Sequence, residues 1–265
     1  MIIDTHIHSY TDSLAERVVK KLSAIGECPC YTDGTIAGAR QLLKKSGIDY
    51  GVILPIATKP TQQTTINNWV KEVGIGSIIP FGTVHPLAGD ALDELERIKS
   101  LGFRGLKLHT DYQGVFIFDE ACQRIYRRCE ELGLPIVFHM GYDPISPMCH
   151  HAMPYDLIWL SEKYPKLKII GAHMGGNYMW EHVLRYAAGL KNVYFDTAFV
   201  AHDIPRELFS AIVKKHGTDR ILFASDLPWS DPVSEIKLVE ELDIPDAQKD
   251  RIFCGNAAEL LGLDI

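Results

Sequence analysis

What most restricts the fold of this chain is an alternation that runs from end to end. Short β-branched or apolar runs take turns with segments of helical period, eight times. The strand-like runs are MIIDTHIH, YGVILPI from Tyr50, SIIPFGTVHP from Ser77, RGLKLHT from Arg104, PIVFHMG from Pro135, LKIIGAHMG from Leu167, NVYFDTAF from Asn192 and RILFASDLPW from Arg220. The helical period appears in TIAGARQLLKKSG, TINNWVKEVG, DALDELERIKSLG, DEACQRIYRRCEELG, PYDLIWLSEKYP, NYMWEHVLRYAAGL, IPRELFSAIVKKHG and SEIKLVEELD. Gly47, Gly74, Gly102, Gly133 and Gly217 each follow a last apolar helical position, where glycine takes the left-handed cap conformation without steric cost. Strict alternation implies right-handed crossovers and a parallel sheet. Eight such units in 265 residues fit one α/β domain, a single (β/α)8 TIM barrel over residues 1–265, better than an open doubly wound sheet. No GxGxxG phosphate fingerprint follows the first strand, which also disfavours the open sheet.

A closed barrel turns alternate strand residues inward and gathers active sites at the C-terminal strand ends. In MIIDTHIH, Ile2, Asp4, His6 and His8 share one face, while Ile3, Thr5 and Ile7 share the other. His6 and His8 then point inward near the rim. Strand four turns Lys107 and His109 inward, strand five ends in His139, strand six in His173, and strand eight carries Asp226. A lone HxH is weak, and one histidine near a strand end is more often a hydrogen-bonded structural residue than a ligand. Five strand ends bringing polar groups to one rim are different, because burying so many unpaired groups is costly. A divalent cation pairs with them naturally. On chemistry alone, His139 and His173 can exchange roles.

The formal net charge of -7 and a pI near 5.9 give no basic surface for nucleic acid or membrane. Six cysteines (Cys28, Cys30, Cys122, Cys129, Cys149, Cys254) are spread through the chain, with no cationic apolar leader and no apolar run of membrane-spanning length. A reduced, cytoplasmic protein is expected. The CPC of Cys28 to Cys30 lacks the second pair of a structural zinc site and reads as loop thiols.

DTHIH at the start, GLKLH on strand four, FHMG on strand five, GAHMG on strand six, ASDLPW on strand eight and the closing GNAAELLGL together resemble the amidohydrolase superfamily. The likeness is to the amidohydrolase-2 branch, which includes aminocarboxymuconate-semialdehyde decarboxylase and related aromatic-acid decarboxylases, and it runs from the first strand to the last helix. The resemblance implies one divalent metal ion, commonly zinc, with manganese and iron tolerated by the same ligands. It implies that His6, His8, His139 and Asp226 hold the metal and that His173 is left for catalysis. A metal-activated water is then the expected nucleophile, with Asp226 passing its proton to the leaving group and His173 orienting the water or stabilising the oxyanion. In binuclear branches a strand-four lysine is carboxylated and bridges two metals. The amidohydrolase-2 branch is usually mononuclear, so Lys107 is read as an ammonium that binds a substrate carboxylate or pairs with a neighbouring acid.

Two long loops are expected to set specificity. One runs from Ser9 through CPCYTDG to the helix near Thr35; the other, GYDPISPMCHHAMPYD, holds Tyr142, Asp143, Met148, His150 and His151. Lys107, His109, Tyr142, His150 and Trp229 are the expected substrate contacts. Asp4 and Asp196 are expected to sit behind the ligands, Arg104 to form a salt bridge at the barrel bottom, His85 to border the pocket, and His182, His202 and His216 to be solvated or structural. Three functions follow. The first is a hydrolase of an amide, lactone or ester-like bond in a small, carboxylate-bearing substrate. The second is a non-oxidative decarboxylase of a small aromatic or enol-type acid, which a cluster of inward cations would favour where only Lys107 is evident. The third is a barrel that binds without turnover. The expected partner is a small molecule, and because barrels of this kind often pair, a homodimer is expected.

Overall fold

The computed structural model describes residues 1–264 and contains nine parallel strand segments. These are β1 (Ile3–Ile7), β2 (Tyr50–Ile53), β3 (Ile78–Pro80), β4 (Gly82–Thr83), β5 (Leu106–Leu108), β6 (Ile136–Phe138), β7 (Ile169–Gly171), β8 (Val193–Asp196) and β9 (Ile221–Leu222). The order is β1-β2-β3 in one sheet and β4-β5-β6-β7-β8-β9 in the other. β3 and β4 are halves of one barrel strand. Pro80 has no N–H to give, Phe81 turns its N–H back to the Ile53 carbonyl (3.3 Å), and Gly82 donates forward to Gly105 (2.9 Å). The Arg104 N–H reaches the Pro80 carbonyl at 2.9 Å, which ties the two sheets together. At the other seam Thr5 donates to Phe223 and Asp226 to the His6 carbonyl, both at 2.9 Å, and Ile7 bridges Leu227 in parallel. The eight predicted strands thus form the TIM-barrel architecture.

The helices are α1 (Asp12–Gly26), α2 (Ile36–Lys45), α3 (Gln63–Val73), α4 (Ala91–Ser100), α5 (Thr110–Gln113), α6 (Glu120–Leu132) and α7 (Asp156–Lys163). They continue with α8 (Trp180–His182), extended by a π-turn over Val183–Ala187, then α9 (Arg206–His216), α10 (Pro232–Glu240), α11 (Asp246–Asp250) and α12 (Asn256–Leu261). Leu106, Leu108, Ile136, Phe138, Ile169 and Phe195 pack outward in the layer between strands and helices. Val52, Phe81, Val137, Ile170 and Leu222 form a second buried cluster with Ala257 and Leu261 of α12. Each such side chain contributes about 1.5–3 kcal/mol by leaving water, so the polar rim rests on a rigid floor. No helix among the described residues is long and apolar enough to cross a membrane.

Three details depart from expectation. The first long loop is not a loop throughout, because Asp12–Gly26 is a fifteen-residue helix. Leu14, Val18, Leu22 and Ile25 recur at helical spacing, but no strand separates α1 from α2, so the simple alternation hides it. Gly74 has φ −76°, outside the left-handed region; its need for glycine is space, since a Cβ there would come 2.7 Å from the Val70 carbonyl oxygen. Among the described residues Arg104 makes no salt bridge; its Nη1 donates to the Leu261 and Gly262 carbonyls at 3.5 and 3.4 Å.

His216, at the end of α9, is structural as expected. Its Nδ1 accepts from the Gly189 N–H at 3.1 Å, its Nε2 donates to the Val193 carbonyl at 3.0 Å, and the ring stacks on Phe195 at 4.0 Å. The Gly189 N–H needs the neutral ring, whose Nδ1 lone pair it meets, and burial pushes the pKa down to about 4. Because the folded value lies below that of a free histidine, the contribution is complete above about pH 6.5 and fades as pH falls towards 4. In urea titrations the stability gap between the native protein and a His216→Gln variant should shrink by roughly 3 kcal/mol from pH 7 to pH 4. A constant gap would show that His216 takes up its proton as readily in the folded protein as in the unfolded chain.

A candidate metal centre and its cavity

The first strand sets the centre. His6 Nδ1 lies 2.8 Å from Asp196 Oδ2, and His8 Nδ1 lies 2.8 Å from the Leu54 carbonyl. Both rings are therefore assigned N–H at Nδ1, which leaves each Nε2 with a bare lone pair. These two Nε2 atoms are 3.2 Å apart, and each is 3.3 Å from Asp226 Oδ1, a buried oxygen that accepts no hydrogen bond. Three electron pairs gathered at one spot call for positive charge; the Lys107 ammonium reaches His6 Nε2 at 3.4 Å, and a cation would serve all three. The donor set, two imidazoles and a carboxylate, suits a divalent transition metal.

Buried groups hold this arrangement from behind. Asp196, at the end of β8, also accepts from the His173 N–H at 2.8 Å, so one carboxylate fixes parts of two strand ends. Asp4 accepts from the Ser225 and His6 N–H groups at 3.0 and 3.1 Å and from the Ser225 hydroxyl, and burial pushes its pKa up to about 7. Both acids lie behind the histidines, as the sequence reading expected. His173 (φ 58°), Met174 (φ 55°) and Asp226 (φ 70°) take the left-handed conformation, each at about 1–3 kcal/mol. Strain of this kind is held where the fold needs a side chain aimed inward.

His173 and His139 meet as neighbours. His173 Nδ1 donates to the Ala198 carbonyl at 2.9 Å, and its Nε2 stands 3.1 Å from His139 Nδ1. His139 does not close on the His6–His8–Asp226 triad within the same short distances. It forms a second one, with His109 and Asp143, whose ligand atoms also lie within 4.8 Å of one another. Lys107 is buried on the barrel axis with Nζ 3.4 Å from His6 Nε2, and burial lowers its pKa to about 8. Burial also holds His6, His109 and His139 well below the usual imidazole range, so these rings are neutral near pH 7.

All of these groups open on one cavity of about 820 Å³. Every expected substrate contact lines it: Lys107, His109, Tyr142, His150 and Trp229. His85 does not. Sequence reasoning missed Tyr10, Tyr112, Tyr178 and Phe199 in the walls, together with Leu22 and Ile25 from α1. The periodicity of α1 was the signal for the last two; Tyr10, Tyr178 and Phe199 sit outside the helices and strands, and Tyr112 sits on the single turn of α5, too short to show a period. Lys107 is the only Lys or Arg lining the cavity among the described residues. His151 is turned away, with Nδ1 2.8 Å from Asp111 Oδ1 and its ring stacked on Phe116.

Comparison with known proteins agrees with this architecture. The family model for amidohydrolases (Amidohydro_2) matches residues 3–263. Among solved structures, an uncharacterized TIM-barrel protein from Bordetella bronchiseptica is similar over 99% of this chain and 98% of its own, at 18% identity and a TM-score of 0.79. A dihydroxybenzoic acid decarboxylase from a Polaromonas species, with bound manganese and the inhibitor 2-nitroresorcinol, covers 100% and 97% at 20% identity and a TM-score of 0.73. The 4-oxalomesaconate hydratase of Rhodopseudomonas palustris covers 99% and 96% at 19% identity and a TM-score of 0.68.

Proposed function

Given that this chain belongs to the amidohydrolase family, we propose that it is a metal-dependent hydrolase that opens an amide, lactone or ester-like bond of a small carboxylate-bearing molecule. The observation that carries this reading is the bare, buried Asp226 Oδ1 set 3.3 Å from two imidazole nitrogens at the floor of the cavity. His6, His8 and Asp226 would hold one divalent cation, zinc in this proposal, with His139 as the fourth protein ligand. Such an ion, when bound, polarises the scissile carbonyl and acidifies the attacking water.

The remaining work falls to the chain. Asp226 accepts a proton from the water as its oxygen adds to the carbonyl carbon, then delivers that proton to the leaving nitrogen or oxygen as the bond breaks. His173 Nε2, bare because Nδ1 is committed to Ala198, accepts a hydrogen bond from the water and fixes its approach. Lys107 offers its ammonium to the substrate carboxylate, while Tyr142, His150 and Trp229 border the substrate body and His109 faces its outer end.

One observation favours a second reading, non-oxidative decarboxylation of a small aromatic acid. Six aromatic side chains (Tyr10, Tyr112, Tyr142, Tyr178, Phe199, Trp229) wall the cavity, a surface suited to a flat ring, and the solved structures of this shape include a manganese-bound dihydroxybenzoic acid decarboxylase. A single lysine, against the cation cluster such acids would call for, keeps hydrolysis ahead.

The two readings part in labelled water. Purified enzyme incubated with small lactones, amides and aromatic acids in H2(18)O should place one 18O in the product acid and release no CO2; CO2 release without label would establish the decarboxylase. Elemental analysis should give close to one metal per chain, and chelation should lower the thermal midpoint, since binding at 100 times Kd stabilises by about 2.7 kcal/mol. Two equivalents would refute the mononuclear centre.

A further inference from the structure

His139 is the odd ring of the set. His6, His8 and His173 are each tied at Nδ1 by an oxygen, and each presents Nε2. His139 is reversed: its Nδ1 faces His173 Nε2 at 3.1 Å, and its Nε2 faces Asp143 Oδ2 at 3.7 Å. A neutral ring has one N–H. If it sits on Nδ1, it satisfies His173, but the Nε2 lone pair then looks at a carboxylate, and that buried nitrogen has no hydrogen-bond partner. If it sits on Nε2, the N–H points its positive end at Asp143 Oδ2, 3.7 Å away, an electrostatic preference rather than a closed hydrogen bond, and Nδ1 is bare on the side of His173.

We propose that Asp143 is the positioning residue that selects the Nε2–H form of His139, so that Nδ1, which lies 3.1 Å from His173 Nε2, carries the lone pair available to a metal. This inference rests on the reading of His139 as a ligand. Asp143 is buried at the start of the loop after β6, where the Ile145 N–H donates to its Oδ1 at 2.7 Å and leaves Oδ2 for the rings. The same Oδ2 lies 3.4 Å from His109 Nε2. His109 and His139 stack at 4.1 Å with 7° between their planes, and Tyr112 stacks on the far side of His109 at 3.8 Å. Parallel rings send their Nε2 bonds side by side rather than to a common point. That geometry suits two N–H groups sharing one carboxylate better than two lone pairs gripping a second cation. Carboxylates behind metal-bound imidazoles fix ring orientation and raise basicity, and their loss typically costs 10–100-fold in metal affinity.

The test measures zinc itself. Native protein and the Asp143→Ala, Asp143→Asn and His139→Gln variants are stripped of metal, their thermal midpoints recorded, and zinc dissociation constants and stoichiometry measured by chelator competition and elemental analysis. Asp143→Ala should bind one zinc about 10–100-fold more weakly, judged against its own metal-free midpoint because the variant also loses the Ile145 N–H bond. Asp143→Asn, whose amide oxygen can still accept the Nε2–H, should lose less and serves if the alanine variant does not fold. His139→Gln should lose at least as much as Asp143→Ala. Native affinity in both Asp143 variants, with weakened binding in His139→Gln, would overturn the positioning role alone. Native affinity in all three would overturn the ligand reading beneath it. Two zinc ions in the native protein and one in Asp143→Ala would make the cluster a second cation site and overturn the proposal.

Discussion

An Asp226→Asn enzyme is expected to turn over its substrate at least ~10³-fold more slowly than the native protein, a loss in the range that general acid–base groups contribute. The substitution is nearly isosteric, and its backbone contacts do not involve the carboxylate: the residue-226 N–H still donates to the His6 carbonyl at 2.9 Å and its carbonyl still accepts from the Trp229 N–H at 2.8 Å. The barrel should therefore keep its circular dichroism and, without metal, nearly its thermal midpoint. What changes is the floor of the cavity, where an anionic oxygen facing two imidazole lone pairs becomes a neutral amide that cannot take a proton. Steady-state kcat at saturating metal, paired with elemental analysis of the same sample, separates the two duties assigned to Asp226. Slow turnover with full metal isolates proton transfer, and slow turnover with depleted metal points to ligation. Native kcat with metal retained would remove Asp226 from the proton path.

Replacing Gly141 with alanine is expected to destabilise the fold by about 3 kcal/mol or more, lowering the thermal midpoint by roughly 6–12 °C. Gly141 has φ +86°, which alone costs an alanine about 1–2 kcal/mol. The larger part is collision. A Cβ at Gly141 would fall 2.5 Å from the Asn177 nitrogen, 2.6 Å from its oxygen and 2.8 Å from the Gly176 carbonyl carbon, all of them backbone. Those atoms are pinned: Tyr142 donates to the Asn177 carbonyl at 3.0 Å, and Asn177 donates to the Met140 carbonyl at 2.8 Å. Relief requires moving the loop that carries Tyr142 and Asp143, so metal affinity should fall as well. Gly133→Ala is the control. Gly133 caps α6 at φ +65° with nothing within 4 Å of an added Cβ, so only the dihedral penalty, about 1–2 kcal/mol, should appear. Scanning calorimetry of the two variants side by side decides the matter; equal shifts would show that the Gly141 loop yields freely.

What the sequence could reveal about the site followed from strand parity and strand ends. His6, His8, Lys107 and His109 follow from the alternation of faces along a strand, a rule that acts over two residues and needs no knowledge of distant contacts. His139, His173 and Asp226 follow from their place at the C-terminal ends of strand-like runs, where barrel sites gather, and all seven border one cavity. The eightfold alternation likewise carried the architecture, since each unit is a local pattern and closure follows from their number.

Three things were decided only in the folded chain. That Leu22 and Ile25 of α1 line the cavity is a matter of where a helix packs, and its own periodicity says nothing of what it packs against. The aromatic walls at Tyr10, Tyr178 and Phe199 come from segments outside the helices and strands, and Tyr112 from the single turn of α5, so no repeat in the sequence marks which way they face. The reversal of His139 belongs to the same class. Whether an imidazole presents Nδ1 or Nε2 depends on which oxygen its other nitrogen finds, and for His6, His8 and His173 those oxygens lie 190, 46 and 25 residues away. Local sequence determines which side of a strand a residue faces; tertiary packing determines which of its atoms is free to react, because hydrogen bonds to that atom come from elements only the barrel brings together.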